Sequence, residues 1–145
     1  MAMKSPEENR ESPAQSFEFI LFMLADFLFG ATAEQVTRIH SGEKIKPEEL
    51  GRTRVDLGKA FHVPKETAAA HPCLLEVKTR TGMKFFEVDR VEGLTRLDLS
   101  QIRKLPPLIG SQKANRSFWG LALIGNRIAC LVDLETLGTD EQSPV

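Results

Sequence analysis

The sequence has no excess of charge of either sign, few cysteines and histidines, and no apolar run long enough to cross a membrane. Its 19 Lys and Arg residues stand against 20 Asp and Glu over 145 residues, for a formal net charge of -1. Because the basic residues are also dispersed, neither a nucleic-acid footprint nor an electrostatic membrane anchor is indicated. Shape and apolar contact, rather than net charge, are expected to select its partners. The two cysteines, Cys73 and Cys130, lie far apart at apolar, strand-like positions, and neither has a second Cys or a His at metal spacing. They read as reduced core residues of a cytoplasmic protein. The three histidines, His40, His62 and His71, are scattered among loop-like residues, so no metal centre is expected. Catalytic signatures are missing too: no Gly-rich phosphate loop, no paired-histidine helix motif, no Gly-x-Ser-x-Gly elbow. Asp89 and Arg90 set an acid beside a base, but neighbours on a strand point to opposite faces and form no catalytic couple. The expectation is a protein without enzymatic activity or cofactor.

Met1 to Ser16 is polar, contains Pro6 and Pro13, and lacks the apolar core of a signal peptide, so it reads as a flexible arm. From Phe17 the character changes: Phe17, Phe19 and Ile20 to Leu24 run almost without a break to Ala25-Asp26. A spanning helix needs about twenty uninterrupted apolar residues, and Glu18, Asp26 and Gly30 break this run. Two short strands covered on both faces explain it better, joined at Ala25-Asp26 with Phe27 to Ala31 as the second. Thr32 to Ile39 is open between a helix with a Thr32/Gln35 capping box and a bulged strand. His40 to Arg52 reads as an irregular surface connection, and Lys65 to Pro72 as one helical turn or a crossover link. Cys73 to Lys78 turns at Thr81-Gly82 into the stretch Met83 to Leu94, read as a strand: strict alternation puts Val88 and Val91 on opposite faces, whereas a bulge at Asp89 or Arg90 brings both to the core side and turns the charged pair outward. Pro106-Pro107 marks an exposed connection. Phe118 to Ile124, Gly125-Asn126, and Arg127 to Val132 form the clearest hairpin, with both turn residues able to adopt positive φ. Asp133 is placed to cap a short helix through Leu137, and the residues from 138 on are a polar tail. Trp119, between Phe118 and Leu121, reads as core rather than as an interface anchor. A Val-Asp pair recurs at Val55-Asp56-Leu57, Val88-Asp89 and Val132-Asp133-Leu134, which suggests two related halves.

The order of these motifs resembles that of CheW-like domains over about Phe17 to Leu137. Gly82 to Leu97, the Pro-Pro loop, Trp119-Gly120, the Gly125-Asn126 hairpin and Leu131-Val132-Asp133-Leu134 resemble the second half of the family. Phe19 to Leu24, Leu28-Phe29-Gly30, Glu34 to Ile39 and Val55 to Phe61 occur in the order of its first half. The resemblance implies an all-β fold with short helices: two small SH3-like five-stranded β barrels sharing a core, formed by roughly 17–64 and 73–137 within one domain over 17–137, flanked by the arm 1–16 and the tail 138–145.

The resemblance further implies an adaptor in bacterial chemotaxis and two-component signalling, one that couples the regulatory domain of a chemotaxis-type histidine kinase to chemoreceptor signalling tips or to another CheW-like protein, without nucleic acid or membrane insertion. Two departures bear on partner choice. The connection from Ile39 to Val55 is shorter than in the family, and Glu49-Leu50-Gly51-Arg52 stands where an Asn-Leu-Arg-Gly-like motif falls. Arg38 occupies a position that is commonly acidic. The resemblance therefore marks Val36, Arg38, Ile39, Leu50, Gly51 and Arg52 as candidate interaction residues, with Ile39 reading equally as barrel core. Two other readings stay open: a CheW-like scaffold for a non-chemotactic system without receptor contact, and a small-molecule-binding β-barrel protein or enzyme with its pocket between the halves.

Overall fold

The apolar run after Ser16 folds as a hairpin, β1 (Ser16–Leu24) and β2 (Phe27–Thr32), joined by the two residues Ala25 and Asp26. The computed structural model describes residues 16–41, 53–63, 72–105 and 116–138. After β2 come β3 (Val36–His40), β4 (Arg54–Asp56), the short helix α1 (Leu57–Ala60), β5 (Cys73–Thr79), β6 (Gly82–Val88) and β7 (Arg90–Asp98). β8 (Ile102–Lys104), β9 (Phe118–Ile124), β10 (Arg127–Val132) and the short helix α2 (Leu134–Gly138) complete the described elements. The expectations for 1–15, for most of the Ile39 to Val55 connection, for 64–71, for the Pro-Pro loop and for 139–145 lie outside the described residues. No helix among the described residues is long and apolar enough to cross a membrane.

The strands form a six-stranded sheet, ordered β7-β1-β2-β10-β9-β8, and a four-stranded one, ordered β3-β5-β6-β4. The hairpin β1-β2 is flanked by β7 and β10, which come from the second half of the chain. The hairpin β5-β6 is flanked by β3 and β4, which come from the first. Each half therefore supplies the flanking strands of the other. The two strands that lead into Val-Asp-Leu join the neighbouring hairpin in parallel, β4 on β6 and β10 on β2. The chain is all-β with short helices, and its ten described strands fit two small SH3-like barrels around a shared core.

Alternation along β1 explains why its sequence is apolar without a break. Ile20, Phe22 and Leu24 enter a core between the sheets with Leu57, Leu75, Phe86, Val88 and Leu134. Phe19, Leu21 and Met23 enter a second core on the opposite face, with Leu28, Leu97, Ala122, Ala129 and Leu131. A strand covered on both faces needs an apolar residue at every position. The shared core is aromatic at its centre: Phe29 stacks on Phe22 at 5.7 Å and on Phe61 at 5.3 Å, and Phe61 meets Phe118 at 4.8 Å. Each such pair contributes about 0.5–1.5 kcal/mol beyond the burial of its area. Trp119 packs against the second core and stacks on Phe19 at 6.3 Å, in keeping with its reading as core.

Three local readings take a different form in the structure. Met83 to Leu94 is not one bulged strand but parts of two, β6 and β7, which belong to different sheets and meet at a bend at Asp89. Val88 and Val91 still pack against the same core, because the bend does what the expected bulge would do. Arg90 points outward, but the Asp89 carboxylate turns back and accepts a 2.6 Å hydrogen bond from the Ala25 amide. Ala25 sits at φ 55°, a left-handed conformation that costs a non-glycine residue energy, and the Asp89 bond offsets part of it. Thr32 to Ile39 takes something from both alternatives: a 3-10 turn over Ala33–Gln35, then β3 with a register shift between Val36 and Arg38. Thr32 makes no side-chain cap there. In the Gly125-Asn126 turn only Gly125 has positive φ, at 64°.

Candidate functional site

The elements around the crossover from β2 to β3 carry three of the six sequence-marked residues. Strand β3 ends the four-stranded sheet and pairs only with β5 among the described strands. The register sets Ile39 opposite Leu75 and Arg38 opposite Glu76. Val36 is half-buried and packs against the shared core, whereas Thr37 and Arg38 are exposed and Ile39 is 40% exposed. Leu50, Gly51 and Arg52 lie outside the described residues, so the structure brings together Val36, Arg38 and Ile39 alone.

Beside its ladder with β5, the start of β3 is tied down by a clasp that sequence reasoning missed. The Gln35 side-chain amide donates to Asp133 Oδ1 at 2.8 Å, and its oxygen accepts from the Leu134 amide at 3.0 Å. Asp133 also accepts from the Glu135 amide at 3.0 Å and the Thr136 hydroxyl at 3.1 Å, while its own amide donates to the Ser117 carbonyl at 2.8 Å. The end of the crossover is thus tied to the start of α2, 98 residues away along the chain. In the sequence Gln35 reads as the partner of Thr32, three residues before it. No local signal points to Asp133, although the Asp133 cap itself is legible. At the other end of β3, His40 Nε2 lies 2.7 Å from Glu76 Oε1, beside the Phe85 ring. Arg54 on β4 donates to the Glu87 carboxylate across the same face of the sheet.

Two open grooves meet at Thr32. One, of about 340 Å³, is lined by Gln35, Asp133, Ser117 and Trp119; the other, of about 480 Å³, by Phe17, Glu18, Glu34 and Arg96. Phe17 is 43% exposed in the second groove, next to the 3.1 Å ion pair of Arg96 with Glu18. A third surface is apolar. Leu123 faces Ile128 across the β9-β10 hairpin, and the parallel register of β10 with β2 sets Ile128 beside Phe27, giving a row 45–58% exposed.

Electrostatically the described surface is balanced. Glu92 on β7 accepts from Arg127 on β10 at 3.0 Å and from Arg90 at 3.1 Å. Hydrogen bonds from Arg127 and then Arg90 hold the Glu92 carboxyl below its ordinary pKa, and the same contact raises Arg127. Burial pushes the Cys130 thiol up, and both cysteines are free and half-buried. Among the described residues no group of three or more His, Cys, Asp or Glu is placed to hold a metal. The arrangement offers edges, grooves and an apolar row for contact with another protein.

The chain matches the family model described as the CheW-like domain over residues 53–142, more than half of its length. No curated protein matches its sequence. Among solved structures it is similar to the crystal structure of the scaffolding protein TtCheW from Thermoanaerobacter tengcongensis, with a TM-score of 0.67 and 19% identity. That similarity covers 86% of this chain and 97% of the other, and at such low identity it speaks for the fold. Motif order, interlocked sheets and the family match lead to one conclusion: the chain belongs to the CheW-like domain family.

Proposed function

We propose that this protein is a non-enzymatic adaptor of bacterial chemotaxis, holding the regulatory domain of a chemotaxis-type histidine kinase to receptor signalling tips or to other CheW-like proteins in the cytoplasm. The observation that carries the reading is the family match, on a fold whose described surface carries an outer strand with exposed residues on both faces, two grooves and an exposed apolar row. An adaptor needs surfaces held at a fixed geometry. The shared core supplies that rigidity, and the Gln35–Asp133 clasp fixes β3 against it. Preorganised surfaces lose less entropy on docking. Val36, Arg38 and Ile39 on β3, with Leu50, Gly51 and Arg52 beyond the described residues, are the proposed interaction residues. Titration calorimetry against the kinase regulatory domain, then against receptor signalling tips, tests the proposal. Saturable one-to-one kinase binding is expected; absence of binding to every chemotaxis-type kinase of the same cell would overturn it. A second reading, a scaffold for a non-chemotactic kinase without receptor contact, is favoured by the shortened Ile39 to Val55 connection and by Arg38 at a commonly acidic position. Kinase binding without receptor binding would select it.

A further inference from the structure

The two sheets have four outer strands, β7 and β8 in the larger, β3 and β4 in the smaller, and they are not equally bare. β4 and β8 are three residues each, too short to template a ladder. β7 has nine residues, but its exposed positions alternate with covered ones, and Gly93 at φ 142° kinks it. On β3, Thr37, Arg38 and Ile39 are exposed in succession. Thr37 is the extra residue of a bulge against β5, and Arg38, opposite Glu76, and Ile39, opposite Leu75, lie on opposite faces, so both faces of this outer strand are exposed there. An open edge offers backbone groups to another extended chain.

Charge indicates what kind of chain fits. Arg54, Arg80, Arg90, Arg96 and Arg127 each hold a glutamate. Arg38 holds no described carboxylate, because Glu76, directly opposite it, is engaged by His40 at 2.7 Å. An exposed guanidinium without an acid, next to an isoleucine 40% exposed on the other face, complements a segment in which acidic and apolar residues alternate. We propose that β3 docks an extended acidic segment of a partner protein by strand addition, with a carboxylate set against Arg38 and an apolar side chain against Ile39. The inference rests on the adaptor reading for its partner and names the chemistry at one surface.

The test is an amide NMR titration of the isotope-labelled full chain with an end-blocked peptide of alternating valine and glutamate, about eight residues long to span the edge. Its lysine counterpart and a fully N-methylated version serve as comparisons. Shifts are expected at the amides of Val36–His40, at least about tenfold weaker for the lysine peptide, and absent for the N-methylated one, which has no ladder donors. Arg38→Glu, a change at an exposed position, should reverse the order of the glutamate and lysine peptides. No perturbation of β3 up to millimolar peptide, an equal response to all three peptides, or an unchanged order in the variant would each overturn the proposal. The kinase titration is read on a different ligand, so the adaptor reading and this docking edge fail separately.

Discussion

The two Val-Asp-Leu turns carry the same local device and are anchored very differently. In each, a strand joins the neighbouring hairpin in parallel, the aspartate turns the chain, and the leucine after it is completely buried in the shared core. Asp56 accepts one backbone bond, from Lys59 at 3.2 Å. Asp133 accepts from Glu135, Thr136 and Gln35, and its neighbour Leu134 donates to Gln35. The repeat is thus a repeat of topology and not of strength: the second turn is welded to the crossover that carries β3, while the first closes only its own helix.

If the halves are equivalent at their core, Leu57→Ala and Leu134→Ala should both be severe, at about 2–5 kcal/mol each, because each leaves a cavity among side chains that cannot collapse into it. Urea denaturation of the two variants checks this. A loss below about 1 kcal/mol at either site would mean that one turn is peripheral and that the core is not shared. The aspartates should then separate what the leucines do not. Asp56→Ala removes a single cap, worth about 1 kcal/mol. Asp133→Ala removes a cap and leaves the half-buried Gln35 amide without its acceptor, for about 2–3 kcal/mol in total. Equal losses from the two variants would show that the Gln35 clasp adds nothing to stability.

This contrast also marks how far the sequence was legible. The Val-Asp-Leu endings, the Ala25-Asp26 and Gly125-Asn126 hairpins and the doubly covered strand β1 follow from apolar pattern and turn chemistry within about ten residues, the range over which such signals act. The bend at Asp89 was visible only as a possible bulge, because what makes it a change of sheet is the pairing of β7 with the distant β1, across which the Asp89 carboxylate reaches Ala25, 64 residues away. Gln35 was visible only as a capping residue, for the same reason. Pairs such as Glu92 with Arg127, 35 residues apart, leave no local trace at all. Of the site, Val36, Arg38 and Ile39 came from motif order, whereas the exposed row Phe27-Ile128-Leu123 needed the parallel register of β2 and β10 to be recognised.

The two tight hairpin turns extend the comparison to backbone strain. Gly125 occupies φ 64° at no steric cost, and Ala25 occupies φ 55° with help from Asp89. Gly125→Val should therefore destabilise by about 1–3 kcal/mol, read as a lower urea midpoint at unchanged slope. Ala25→Gly relieves the left-handed penalty but frees the unfolded chain, so it should raise stability by no more than about 1 kcal/mol. If Gly125→Val leaves the midpoint where it was, the positive φ is not required by that turn. If Ala25→Gly is clearly destabilising, the alanine methyl group is packed rather than strained.

The smallest expected effect concerns acid, and it again sets a long-range contact against local ones. Glu92 is held below its ordinary pKa by Arg127 from β10 and Arg90 from its own strand, in that order. A carboxyl depressed in the folded chain contributes stability above its unfolded value, and that contribution is lost as pH falls through the folded value. The window therefore opens near the ordinary glutamate pKa, about 4.3, and extends downward. Because Glu92 lies at the surface, salt should screen the effect. Arg127→Gln removes the larger influence and leaves Arg90, so the fall in thermal midpoint below that pH should become shallower in the variant, and the difference from the parent should shrink at high salt. Parallel pH profiles for the two proteins at low salt would mean that the bridge from β7 to β10 is geometrically present but energetically silent.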